Sequence, residues 1–121
     1  MIFWNDLSKE EQCVLLGAAE SAMLLDVLAM WRPGLDYSID SPLMDVPRLA
    51  EAVASLLDKG LVEVYVDRNL CSPAAARAVV CDEQNWWTSD GPAMHVELAP
   101  SEAADGVPAT AEDLYAYRNH D

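Results

Sequence analysis

The sequence predicts a mostly helical α+β domain, and three observations carry that prediction. Leu49, Val53, Leu56 and Leu57 recur at i, i+4, i+7 and i+8, one apolar stripe at helical period. Directly after Gly60, Val62, Val64 and Val66 alternate with Glu63 and Tyr65, the period-two pattern of a half-buried strand. A second alternation, Met94, Val96 and Leu98 around His95 and Glu97, supplies a partner strand, expected to run antiparallel to the first.

The other elements follow in order. Met1 to Leu7 carries Ile2, Phe3 and Trp4, too apolar for a free tail, and is expected to pack on the body as an arm or short strand. Ser8 followed by Glu11 is a capping box, which starts a helix at Lys9. From there to Trp31 the chain has no proline and only Gly17. Val14, Ala18, Ala22, Leu25 and Leu28 form one stripe; Leu15, Leu16, Met23, Leu24, Val27 and Met30 widen it. A single long helix, apolar on two faces and covered on both, is therefore expected, with Gly17 marking either a kink or a close contact. Arg32-Pro33-Gly34 stops it. Asp36 to Met44 is turn-rich, with Ser38, Asp40, Ser41 and Pro42, and has room for about one helical turn.

Asp45 to Asp67 reads as helix, glycine stop and strand in immediate succession. Asp45 is the expected N-cap, Pro47 lies in the first turn, Lys59 complements the helix C-terminus and Gly60 takes the left-handed conformation that ends it. Beyond the strand, Ser72-Pro73 is a cap with a first-turn proline, and AAARAVVCDEQNW is helical by propensity. Ala76, with Val79 or Val80 and Glu83 or Gln84, would set its buried edge, and Asn85 is its expected stop. Ser89-Asp90-Gly91-Pro92 is a turn before the second strand. Pro100 to Gly106 reads as a turn or a single helical coil. Thr110 with Asp113 then caps a last helix, AEDLYAYRNH, packing back through Leu114 and Tyr117.

The run LLDKGLVEVY resembles the junction between recognition helix and wing in winged helix-turn-helix proteins. The resemblance implies a winged-helix-like three-helix core with a two-stranded antiparallel β-wing, and residues 1–121 as one such domain. Two departures accompany it. Asp36 to Met44, where the family's second helix would lie, holds about one turn, so the helix pair reads as degraded. Arg68 to Pro92 inserts a helix where the wing would turn back. The resemblance also casts the helix after Asp45 as a reader of DNA, with Arg48, Lys59 and Arg68 as its contacts.

Composition weighs against that use. The 121 residues, 52% of them apolar, suffice for a core without disulfide or metal support. Twenty-one acidic against seven basic residues leave a net charge of −14. DNA carries about one negative charge per 1.7 Å, and its binding is driven largely through Lys and Arg contacts. Such a chain is better suited to a basic protein partner than to nucleic acid. An inhibitor or immunity-type protein that shields a cationic surface is one concrete form. Homodimerisation would bring two candidate reader helices together and soften the charge objection. No apolar run reaches the roughly 18 residues that span a bilayer, and MIFWNDLSKEEQ lacks the basic start of a signal peptide. Three cysteines without a CxxC pair fit reduced thiols, hence a cytoplasmic setting.

No enzymatic constellation stands out. Cys81 and His95, with Asp82 or Glu83, have the residue types of a thiolate pair, but Cys81 lies among valines, where cysteine behaves as a small apolar residue. GxSxG, Walker and GxGxxG patterns are missing, and no cofactor is expected. Cys71, Cys81 and His95 lack metal-ligand spacing, His120 sits at a tail, and Asp36, Asp40 and Asp45 lack the distal Glu of a calcium loop. A non-catalytic protein is expected. Trp86 and Trp87 are adjacent, so one can enter the core while the other is partly exposed; alternatively both lie under the termini, with Trp4 as cover. Asp82, Glu83 and Asp90 surround them. Asp82, Glu83, Trp86, Trp87 and Asp90 thus form the candidate partner-binding set.

Overall fold

Residues Lys9 to Trp31 form two helices where one was expected. Helix α1 runs Lys9–Ala19 and α2 runs Leu24–Trp31. Ser8 and Glu11 make the expected reciprocal cap at the start of α1, at 3.1 and 3.0 Å. At its end Ser21 adopts a left-handed φ of 55°, the Ala22 N–H donates to the Gly17 carbonyl and the Ser21 N–H to that of Ala18. This is the bonding of a Schellman stop, here without glycine. The break is fixed from outside: the Leu98 N–H donates to the Ala22 carbonyl at 2.9 Å, and Met23 bridges Glu97. Gly17 is a close contact and not a kink, since a Cβ there would meet Val27 Cγ2 at 3.0 Å.

The computed structural model describes residues 2–34 and 42–107. The expected last helix, with Thr110, Asp113, Leu114, Tyr117 and His120, lies outside them, as do Asp36 and Asp40. The apolar N-terminus is a 3-10 turn, Trp4–Asp6. Trp4 is buried, and Gln12 on α1 donates to its carbonyl at 3.0 Å.

After a 3-10 turn at Pro42–Asp45, α3 runs Val46–Asp58. Asp45 stands at the N-cap position, but its carboxylate makes no capping bond. It receives Arg32 in a two-pronged pair instead, at 2.8 and 2.9 Å, which ties the end of α2 to the start of α3. Gly60 ends α3 at φ +71°, with Gly60 N–H on the Leu57 carbonyl and Leu61 N–H on that of Leu56. Leu56 and Leu61, both buried, supply the apolar contact that accompanies this motif.

Strand β1, Val62–Val66, follows at once. Asp67 and Arg68, both at positive φ (48° and 71°), form a two-residue turn into a short β2, Asn69–Leu70, absent from the sequence expectation. Helix α4 spans Pro73–Cys81, capped by Ser72, and is shorter than its propensity implies. A 3-10 turn, Glu83–Asn85, completes the insertion. Strand β3, Val96–Pro100, starts after the exposed Met94 and pairs antiparallel with β1. The sheet order is β2-β1-β3. Another 3-10 turn, Glu102–Gly106, matches the expected coil. Val62, Val64, Val96 and Leu98 turn one face of the sheet into the core, and α1 lies centrally against α2, α3 and β3. The described part of the chain is thus a mostly helical α+β fold of four helices and a three-stranded antiparallel sheet. Among the described residues no helix is long and apolar enough to cross a membrane.

Candidate functional site

Helix α3 buries Val46, Leu49, Ala50, Ala52, Val53 and Leu56, so its outward ridge is made by what remains: Pro47, Arg48, Glu51 and Asp58. A hollow of about 280 Å³ lies on one flank, between the ridge and Ser8, Glu10 and Glu11 of the α1 start. On the other flank α4 packs against α3 through the buried Ala76 and Val80. Here a larger groove of about 450 Å³ is lined by Val46, Pro47, Ala50 and Ala54 together with the exposed Cys81, Glu51 and Glu83. Glu51 borders both depressions.

The cations around this ridge are mostly engaged. Lys59 does not simply complement the end of α3; its ammonium reaches Glu11 at 2.5 Å, and the Ser55 hydroxyl donates to the same carboxylate oxygen at 3.0 Å. Burial alone would push the Glu11 carboxyl up. The hydrogen bonds from Lys59, the Ser8 N–H and Ser55, together with the Lys59 charge, outweigh it and hold Glu11 below the ordinary glutamate value. Arg77 on α4 pairs with Asp58 on α3, and Arg32 pairs with Asp45. Among the described residues Arg48 and Arg68 make no ion pair, and both are exposed, one on α3 and one at the tip of the β1–β2 turn. Of the three expected DNA contacts, Lys59 is therefore already held by Glu11.

The candidate partner-binding set is split by burial. Trp86 is fully buried and its Nε1–H donates to the Val80 carbonyl at 2.7 Å. Asn85, also buried, donates from Nδ2 to the Val79 carbonyl at 2.8 Å. Trp86 bonds a carbonyl of the last turn of α4, and Asn85 adds a second donor to the Val79 carbonyl, which also accepts the Asp82 N–H. Trp86 is thus a core residue, and truncating its ring would cost about 3–5 kcal/mol. Trp87 is half-buried against the core, so one indole of the pair is inside and the other partly out. Asp82, Glu83 and Asp90 are exposed. Asp82 accepts the Gln84 N–H, and the Ala93 N–H donates to the Gln84 carbonyl, which folds the Asp90 turn back beside the Asp82–Asn85 segment.

Cys81 departs from expectation. It is the last residue of α4 and exposed, not packed among valines. No hydrogen bond joins it to His95, itself exposed ahead of β3. Among the described residues no three His, Cys, Asp or Glu side chains converge in a way that could hold a metal ion. Glu51 and the α3–α4 groove were missed from sequence, because the groove exists only where two helices distant in the chain pack. No protein-family model, curated protein or solved structure matches the chain.

Proposed function

We propose that this chain is a non-catalytic, winged-helix-like domain that works by binding a basic protein, in the manner of an inhibitor or immunity-type protein. The element order supports the winged-helix part: α1, a one-residue bridge at Met23, α2, α3, β1, a tight turn into β2 and, after α4, β3. On this reading α2, not the Asp36 to Met44 stretch, is the second helix of the motif, and α4 is an insertion in the wing.

The observation that carries the functional part is the outward face of α3. In a DNA reader this helix would meet phosphates, yet its ridge offers Glu51 and Asp58 with Arg48 the one cation lacking a carboxylate partner, flanked by Glu10 and Glu83. Such a surface repels a polyanion and attracts a cationic protein. The competing reading, a DNA-binding regulator, rests on Arg48 and Arg68. Fluorescence anisotropy at low salt with pooled duplexes separates the two. The expected result is no binding tighter than about 10⁻⁴ to 10⁻⁶ M. A nanomolar complex abolished by Arg48→Glu would establish the regulator reading instead. Affinity purification from native lysate with mass spectrometry should recover a basic protein that high salt releases, and enrichment of acidic or neutral proteins alone would count against the proposal.

A further inference from the structure

We infer that the groove between α3 and α4 is the seat of an arginine side chain of the basic partner, with its stem on the apolar lining and its guanidinium at the Glu51 and Glu83 carboxylates. This rests on the basic-partner reading above and names where and how that partner is held.

The groove has two parts of opposite character. Val46, Pro47, Ala50 and Ala54 line it with small apolar surface, and the exposed Glu51 and Glu83 bring two carboxylates from different elements. An arginine has the matching halves, a three-carbon stem that lies on apolar surface and a weakly hydrated planar head that forks onto carboxylates. Lysine matches less well, because its compact ammonium holds water more tightly. A neutral apolar ligand would leave these carboxylates without compensation, and an anion would be repelled.

The protein's own cations leave Glu51 and Glu83 open. Asp45, Glu11 and Asp58 are each held by a basic side chain, Arg77 being taken by Asp58, and Arg48, one turn before Glu51 on α3, makes no ion pair with it. Glu51 and Glu83 have no ion pair or hydrogen-bonding side chain among the described residues. Charge complementarity therefore selects an occupant brought by another molecule. The exposed Cys81 among the lining residues gives the groove a built-in reporter. Cys13 is buried and Cys71 half-buried, so alkylation can be assigned residue by residue.

The test uses the whole chain and a labelled hexa-arginine peptide, titrated by anisotropy at low ionic strength. Glu51→Gln/Glu83→Gln should weaken binding about tenfold, through loss of charge-assisted contacts. Glu20→Gln/Glu102→Gln, the same charge change at exposed sites outside the groove, should weaken it less than about twofold, the residue of screened long-range attraction. Ala54→Met, which fills the groove without altering charge, should also weaken binding, and hexa-lysine should bind less tightly than hexa-arginine. Iodoacetamide should modify Cys81 more slowly when hexa-arginine is present, with the rate at Cys71 unchanged. Equal effects of the two double variants, with Cys81 unprotected, would overturn the groove while leaving a basic partner in place. Failure of hexa-arginine to bind the wild-type chain at all would overturn both readings.

Discussion

Replacing Gly60 tests the junction on which the α3–β1 connection turns. The residue sits at φ +71°, and a Cβ built there would meet nothing within 4 Å, so crowding contributes nothing to the cost of a substitution. What remains is backbone strain, about 1–2 kcal/mol for an L-residue in the left-handed region and more for a β-branched one. Against this, a side chain narrows the unfolded ensemble and returns about 0.4–1 kcal/mol. Gly60→Ala should then destabilise by about 0.5–1 kcal/mol and Gly60→Val by about 1–2 kcal/mol. Asparagine tolerates this conformation, so Gly60→Asn should cost least. With a urea m-value of about 1–3 kcal/mol per M, Gly60→Val should lower the unfolding midpoint by about 0.3–2 M with m unchanged. A midpoint equal to wild type would refute the left-handed cap. Equal losses for Asn and Val would mean that side-chain volume, not φ, sets the cost.

Two further predictions concern the polar contacts that hold helix ends and faces together. Glu11 has a folded-state pKa below its ordinary value, so its stabilisation is fully present above the unfolded value near 4.3 and is lost as pH falls through the folded one. Glu11→Gln should cost about 1–2 kcal/mol at pH 7, and urea midpoints measured down to pH 3 should show the gap to wild type closing; a gap that stays constant would contradict the ion pair. Asn85→Ala should cost about 1 kcal/mol by leaving the Val79 carbonyl at the α4 end without its side-chain donor, while Asn85→Asp, which keeps the shape but removes the donor, should do no better. Recovery of full stability by the aspartate variant would show that the cap is not the reason for Asn85's burial.

The parts of the fold that were legible in the sequence are those decided by neighbouring residues. The α3 stripe, Gly60 and the β1 alternation occupy one continuous stretch, and the Ser8 and Ser72 caps act over three residues. The break at Ser21 was not read because no glycine or proline stands there, and the stripe of Val14, Ala18, Ala22 and Leu25 continues past the polar Glu20 and Ser21. That break is held both by the local bonds of Ser21, Ala22 and Met23 and by the backbone of β3 on Ala22 and Met23. Likewise β2 escaped notice because Asp67-Arg68 is not a recognised turn pair, although both residues take positive φ. In the candidate site, the acidic character could be read from sequence, whereas adjacency left open whether the two tryptophans divide or both lie under the termini. Which tryptophan enters the core depends on the Val80 carbonyl, and the availability of Lys59 depends on Glu11, neither of which adjacency encodes.

The pairing of Met23 with Glu97 also bears on how the chain reaches its native state. Sequences emerge from the ribosome N-terminal end first, and helices form far faster than distant segments meet. Lys9 to Trp31 is therefore made before the strand whose backbone bonds to its break has been synthesised. The bonds that stop α1 and the Asp26 cap that starts α2 lie within that early segment, and β3 adds the distant ones to Ala22 and Met23 while completing the sheet. The strand that completes the sheet is thus also the one that pins the junction between the first two helices.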